Sequence, residues 1–398
     1  MIRTTVSLFA LAGSVLAQAP MSTVPLRLVE PAAVRTASEP SRAIDLVICL
    51  DVSGSMDGLL NAARQNLWAV VNDLATLRPQ PDLRVALLTF GCPAYGQESG
   101  FVAVQTELTN DLDLVSQKLF ALKTNGGDEY VARVVHRALE VLDWSKDQQA
   151  LKLIFVAGNE AATQDPLFDA FVESKAAIAR GILVNTIYCG DPKHELANAW
   201  RQVARSADGN FASIEQDQAV VIATPFDKTL GDLSARLNTT YVPYGKQAGA
   251  WVQNQLEQDK NASDLNGANV AQRCQTKAGA LYCNSQWDLV DACKDANFDL
   301  AKVTKEDLAP DLQKLSIDQL KAHVAKKAAE RAAIQKQVAE LGKKRDAFVE
   351  GERKKLGDAG KKLFELAVLE SVRAQAKSRG FERKVEGTSE TKPRIDVD

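Results

Sequence analysis

Leu46-Val47-Ile48-Cys49-Leu50-Asp51-Val52-Ser53-Gly54-Ser55 is the stretch on which the reading of this chain turns. Ala43 to Leu50 is a short, nearly continuous apolar run, the pattern of a parallel strand buried on both faces. Directly after it come one carboxylate and two hydroxyls at two-residue spacing, with a glycine that permits a tight turn. Downstream, Leu59, Leu60, Ala63, Leu67, Val70, Val71 and Leu74 recur at intervals of three and four, which predicts an amphipathic helix. A strand, a turn of hard oxygen donors and a helix together describe a cation site of the kind Mg²⁺ prefers. Its position is the place where open α/β sheets bind ligands, outside the carboxyl end of a strand. The competing reading is a turn whose Asp or Ser merely caps the helix.

The same alternation continues along the chain. Apolar runs at Asp45–Leu50, Arg84–Phe90, Leu151–Ala157, Ile182–Cys189 and Asn210–Ile214 predict strands, and Phe101–Leu108 an edge strand. Helical patterns separate them at about 59–76, 111–123, 130–143, 166–180, 194–206 and 226–238. This predicts an α/β fold, a doubly wound and mostly parallel sheet with helices on both faces. Beyond about residue 240 the pattern becomes helical throughout. Residues 249–296 read as two helices around a polar break at Asn261–Gly267. A long helix from about Ile317 to Lys355, whose apolar spacing mixes threes, fours and sixes, predicts a short coiled-coil hairpin rather than an extended parallel zipper, and a last helix is expected at 360–378, so the region is all-α.

Composition sets the class. With 398 residues and 45% hydrophobic content the chain is globular and long enough for more than one domain. The formal charge is −3, and residues 301–398 carry more base than acid while the rest carries more acid than base. The basic residues alternate with acidic ones at helical spacing, as in Lys326-Lys327-Ala328-Ala329-Glu330-Arg331, so they describe a solvated helix face rather than a nucleic-acid surface. Arg3 before the short apolar run Val6–Leu16, with small residues at Val15-Leu16-Ala17, predicts a signal peptide cleaved near Ala17 and an exported, periplasmic or extracellular protein. That run is too short to span a bilayer. The segmentation expected is a signal peptide at 1–17, a Pro-rich linker at 18–42, the sheet domain at 43–240, helical regions at 241–300 and 301–385, and a disordered tail at 386–398.

Of six cysteines, Cys49 and Cys189 fall within strands and read as core residues, while a disulfide among Cys92, Cys274, Cys283 and Cys293 is expected without a choice of pairing. His136, His194 and His323 are far apart in sequence and there is no Cys-x-x-Cys, which leaves zinc the weak competitor. No Gly-x-Ser-x-Gly elbow and no phosphate loop is present, and three isolated histidines assemble no nucleophile, base and orienter, so no enzymatic activity is expected.

The segment from Ile44 to Leu237 resembles a von Willebrand factor type A (vWA) domain, whose metal-ion-dependent adhesion site (MIDAS) carries the signature Asp-x-Ser-x-Ser. Asp51, Ser53 and Ser55 match that signature. The resemblance implies Mg²⁺, or Mn²⁺ or Ca²⁺, at the strand ends. It also implies a protein partner bound through an acidic residue at the metal. In the second loop, Thr124-Asn125-Gly126-Gly127-Asp128-Glu129, Asp128 stands where many members have a Thr, unless it only caps the next helix. In the third, Ala157-Gly158-Asn159-Glu160, Asn159 stands where many have an Asp, unless it only stabilises the turn, and Glu160 is a further candidate. The whole chain is similar to exported bacterial vWA proteins with a helical C-terminal region. The alternative it implies is a vWA adaptor subunit of a metal-insertion or AAA-type ATPase machine.

Overall fold

In the computed structural model, residues 41–215, 220–356 and 364–383 are described. The expected signal peptide, nearly all of the linker and the C-terminal tail lie outside them. The chain begins in β1 (Arg42–Asp51), α1 (Asp57–Leu74) and the two-residue β2 (Leu77–Arg78). It continues through β3 (Pro81–Phe90), β4 (Val102–Thr109), α2 (Leu112–Ala121), α3 (Val131–Val141), β5 (Leu151–Gly158) and α4 (Ala170–Ala179). β6 (Ile182–Cys189), α5 (Ala197–Ser206) and β7 (Phe211–Ile214) complete the alternating part.

Six of these strands form one sheet in the order β4-β3-β1-β5-β6-β7. β1 pairs in parallel with β3 and β5, β5 with β6, and β6 with β7, while β4 is an antiparallel edge. The sheet is doubly wound and mostly parallel, as the sequence predicts. Side chains alternate along β1, so Ile44, Leu46 and Leu50 enter one apolar layer and Val47 and Cys49 the other. Both layers are dry, which is why the strand reads as an unbroken apolar run rather than as an alternating one. The chain leaves β1 for β3 on one side and later crosses to β5 on the other. The carboxyl ends of β1 and β5 therefore flank the switch point at which such sheets place their ligands.

The helical part consists of α6 (Asp227–Asn238), α7 (Ala248–Leu265), α8 (Gly267–Ala278), α9 (Leu289–Ala292), α10 (Ile317–Leu356) and α11 (Phe364–Ser378), with β8 (Glu382–Arg383) pairing antiparallel to β2. α7 and α8 break at Asn266, inside the expected polar interval, where its side chain accepts from the Asn269 amide at 3.0 Å.

Two expectations for this part need correction. α10 is one unbroken helix and, among the described residues, forms no coiled-coil hairpin. Along α10, Leu320 and Val324 pack with Val242, Leu289, Val290 and Leu308, whereas Ile334 and Val338 pack with Leu230, Leu233, Ala271 and Cys274. The helix changes partners along its length, and that change produces the mixed spacing. Nor does the sheet domain end near residue 240. Phe364, Val368, Leu369, Val372 and Ala376 of α11, with Phe381 after it, belong to the same apolar layer as Ile44, Leu46 and the buried face of α1. A reciprocal amide pair joins this helix to the sheet, Asn185 Nδ2 donating to Gln375 Oε1 at 3.1 Å and Gln375 Nε2 to Asn185 Oδ1 at 2.8 Å. Helices α6 to α10 are thus inserted between the last strand of the large sheet and a helix that covers it, and the described residues form one compact unit.

Charged groups fix the insertion against the sheet layer. Arg273 of α8, 1% exposed, meets Asp113 of α2 at 2.5 Å and Asp259 of α7 at 2.9 Å, and the Tyr282 hydroxyl donates to Asp113 at 2.6 Å. Arg331 of α10 reaches Asp288 at 2.7 Å and Asp291 at 3.0 Å. All six cysteines are free thiols, so the disulfide allowed by the sequence does not form. Cys92 and Cys274 are buried in separate apolar clusters and Cys283 and Cys293 are exposed. No helix among the described residues is long and apolar enough to cross a membrane.

Leu369, 2% exposed, fills the layer between α1 and the sheet. Leu369→Ala is expected to lower the unfolding free energy by about 2–5 kcal/mol in urea titration. A chain ending at Leu356 should lose the cooperative unfolding transition of the whole sheet domain. An unchanged sheet transition in the shortened chain would show instead that α11 is only an appendage.

Candidate metal site

The turn after β1 is built around Asp51. One carboxylate oxygen, Oδ1, accepts from the Ser53 backbone N–H at 2.8 Å and holds the turn in place. The other, Oδ2, is buried and has no hydrogen-bond partner. The Ser53 hydroxyl is buried and unpartnered as well. Asp51 is 0% and Ser53 3% exposed, so water does not replace the missing partners at the surface. An unsatisfied buried carboxylate oxygen is costly, and a native chain keeps one where something outside the chain completes it.

The capping alternative for this turn does not hold. The N-cap of α1 is Met56, which makes no side-chain cap hydrogen bond. The Ser53 hydroxyl is therefore not consumed by the helix end. Ser55 Oγ donates to Met56 Sδ at 3.5 Å and accepts from Asn159 Nδ2 at 3.0 Å, which ties the first loop to the third. Asn159 Oδ1 is a third buried oxygen without a partner. Asn159 spends its amide on Ser55 rather than on its own turn, so it belongs with the site.

Three further loops close around this point. Val52 donates its N–H to Phe90 O at 2.9 Å and accepts from the Asn125 N–H at 2.8 Å, and the Thr124 hydroxyl donates to Asp57 at 2.9 Å. A Cβ on Gly158 would lie 3.0 Å from Asp51 Oδ2 and 3.2 Å from Trp200, so any side chain there would press on the carboxylate. Gly91, at φ +84°, lies equally close: a Cβ would meet Asp51 Oδ1 at 2.9 Å and Glu129 Cγ at 3.0 Å. Both glycines are set by the space the site leaves, and Gly91 also by its left-handed backbone.

Asp128 is placed differently from Asp51. It is exposed, its Oδ2 accepts from the Tyr130 hydroxyl at 3.3 Å, and it caps no helix, since the N-cap of α3 is Tyr130. The next residue, Glu129, turns toward Asp51 and Ser53 instead. Glu160 is exposed, and its backbone carbonyl accepts from Trp200 Nε1 at 2.8 Å. Sequence reading missed Glu129 because adjacent acidic residues in a Gly-rich loop give no periodicity to tell the inward one from the outward one.

Electrostatics agree with the geometry. Burial pushes the Asp51 carboxyl up from 3.8 to about 7, against the lowering hydrogen bonds of Ser53, and the negative charges of Glu129 and Glu160 add to the rise. Burial also raises Glu129. The Ser53 hydroxyl lies close enough to lower both carboxyls, although its oxygen meets no partner at hydrogen-bond geometry. A buried carboxylate facing two more acids, with no cation among them, is an environment that a divalent ion would neutralise. The donor set is one of hard oxygens. No cluster of three or more His, Cys, Asp or Glu side chains with metal-ligand spacing occurs among the described residues, because hydroxyl and amide oxygens make up most of this set.

The histidines stand apart from the site. His136 Nδ1 lies 3.1 Å from Glu173, and His194 Nδ1 lies 3.3 Å from the Tyr188 hydroxyl.

No family model matches this chain, and no curated protein matches it. Among solved structures it is similar to proximal thread matrix protein 1 from the mussel byssus, with 13% identity over 45% of this chain and 43% of that one and a TM-score of 0.34. The mussel protein has also been solved with a zinc-occupied MIDAS motif. The chain is similar to a von Willebrand factor type A protein from Catenulispora acidiphila, at 17% identity over 44% of this chain and 39% of that one, TM-score 0.33. It is also similar to the vWF domain of the type V pili tip protein Mfa5 from Porphyromonas gingivalis, at 14% identity over 44% of this chain and 91% of that one, TM-score 0.35. The match spans less than half the length of the mussel protein and of the Catenulispora protein. At these identities and scores the likeness adds nothing to the reading of the site. The fold stands on the sheet order and on the strand–turn–helix junction at Asp51: residues 42–214, closed by α11, form a vWA-like, doubly wound sheet.

Proposed function

We propose that this protein is a metal-dependent protein-binding module that works outside the cytoplasm and carries no catalytic step. The observation that carries the reading is three buried, unpartnered oxygens in two joined loops, Asp51 Oδ2 and Ser53 Oγ at the carboxyl end of β1 and Asn159 Oδ1 just after β5, tied to Ser55 by its amide. With Ser55 beside them they would hold a divalent cation, Mg²⁺ in the first instance. The ion would supply a Lewis-acidic position open to one oxygen from a partner, an acidic side chain by the reading of the sequence. Asp51 would anchor it, the serine hydroxyls would bind without neutralising it, and Asn159 would add a neutral oxygen. The signal-like pattern of residues 1–17 supports export.

Ion binding to the native state alone must stabilise it, by about 2.7 kcal/mol when the free ion is at one hundred times its Kd. Millimolar Mg²⁺ is therefore expected to raise the Tm of the wild-type protein over an EDTA control, and Asp51→Asn to abolish the rise. The rise should be larger at pH 8 than at pH 6, because at the lower pH the ion competes with the proton on Asp51. An equal rise in Asp51→Asn would remove Asp51 from the site.

The metal-free protein gives an independent test with a definite sign. Asp51 has a folded-state pKa above its unfolded value, so the penalty of burying it is absent below about pH 4, grows as pH rises and is complete above about 7. In EDTA, Asp51→Asn should thus be more stable than wild type at pH 8, by at most about 4 kcal/mol, and close to it at pH 4. Lower stability of the variant at pH 8 would mean that the carboxylate is satisfied within the chain.

A further inference from the structure

We infer that Glu129 is a direct ligand of the bound ion and that Gln164 positions it, so that the second carboxylate of the site comes from Glu129 and not from Asp128. The inference rests on the metal-binding reading above and extends it to two residues outside the Asp-x-Ser-x-Ser turn.

Geometry singles out Glu129. The stem of its side chain at Cγ, the Asp51 Oδ1 oxygen and the Ser53 Cβ all lie within 3.5 Å of the single point that a Cβ on Gly91 would occupy. Glu129 and Asp51 therefore face one another across a position that the sequence keeps clear with a glycine. On the Asp51 and Ser53 side chains, Asp51 Oδ2, which lies against Gly158, and Ser53 Oγ are buried and without a partner. Two carboxylates facing one another across so short a gap repel one another unless a cation intervenes.

Glu129 is also held, as a ligand needs to be. Gln164 Nε2 donates to the Glu129 backbone carbonyl at 2.8 Å and to its Oε2 at 3.1 Å. One amide group thus fixes both the main chain and the carboxylate, and engages only one of the two carboxylate oxygens. This is the arrangement by which outer residues orient metal ligands. Gln164 belongs to the segment after β5, so it locks the second loop to the third. Asp128 has no such support, being exposed and turned to the Tyr130 hydroxyl. Glu160 is exposed, and its fixed group is a backbone carbonyl held by Trp200.

The chemistry follows from the count of charges. Asp51 and Glu129 together balance a hard divalent cation, which suits an ion retained in the protein between encounters with a partner. An ion so neutralised draws an incoming carboxylate less strongly than one held by Asp51 and hydroxyls alone.

The test is calorimetric titration of the full chain with MnCl₂, comparing wild type with Glu129→Gln, Asp128→Asn, Gln164→Ala and Asp51→Asn. Glu129→Gln is expected to weaken Mn²⁺ at least tenfold and Gln164→Ala about tenfold. Asp128→Asn, which removes the same charge one residue away, should stay within about threefold of wild type by the weakness of exposed charges at a distance. For Gln164→Ala the Tm in EDTA should be unchanged while the affinity falls, which a merely structural role would not produce. If Glu129→Gln does not fold, Glu129→Asp, which keeps the charge and withdraws it by one methylene, carries the same expectation. Wild-type affinity in the Glu129 variant, or equal losses for Glu129→Gln and Asp128→Asn, would overturn the assignment. Wild type that binds no Mn²⁺, or Asp51→Asn that binds it as wild type does, would sink the underlying metal site instead.

Discussion

A carboxylate fully buried at the end of the central strand, one oxygen bonded to a backbone amide and the other to nothing in the chain, is the constraint around which this molecule is arranged. The bonded oxygen folds the turn, and the free one is left without a partner in the chain. Around it the chain gives up side chains at Gly91 and Gly158, because any Cβ there would crowd the carboxylate. It also leaves the first turn of α1 without a side-chain cap, although serines stand next to it. Each concession destabilises the protein slightly, by lost contacts or an uncapped helix end. Their common location is what separates a site from an accident of packing.

The sheet was legible in the sequence because its determinants are local. Apolar runs bounded by turns found each strand of the large sheet to within a few residues, and Ile182–Cys189 coincides with the observed strand. The turn after β1 was legible for the same reason, since the Asp51 carboxylate reaches the Ser53 amide through their own two-residue spacing. The second loop was not. Whether Asp128 or Glu129 turns inward depends on the approach of the loop to Gly91, where a Cβ on Gly127 would lie 2.7 Å from the Gly91 carbonyl, and on Gln164, 35 positions away. Those are contacts between distant parts of the chain, invisible to any window along it.

The boundary at residue 240 was misread for a related reason. An amphipathic helix shows that it covers something without showing what, and α11 has the same pattern whether it lies on a neighbouring helix or on a sheet formed far upstream. α10 concealed its arrangement differently: one helix of 40 residues, about 60 Å long, serves two separate clusters in turn. The groups that settle its placement are charges. Arg331 and Arg345 on α10, 3% exposed each, and Arg273 on α8 are buried beside Asp291, Asp227 and Asp113. Desolvation makes such pairs poor sources of net stability, but a shifted helix would strand each charge alone, so they admit one register.

That a helix near the end of the chain closes the sheet has a consequence for how the protein comes into being. The strands of the large sheet are complete at Ile214, yet the helix that covers them begins roughly 150 residues later, some 8–30 s further into synthesis at ordinary elongation rates. For that interval the part of this face that α1 and α2 do not cover lacks its helix, and its apolar side chains are open to wrong partners. Contacts such as Arg373 with Asp73, 300 positions apart, form only after almost the whole chain exists. Completion of this apolar layer therefore waits on the synthesis of α11, and until then the strands it covers are held in a partly folded state.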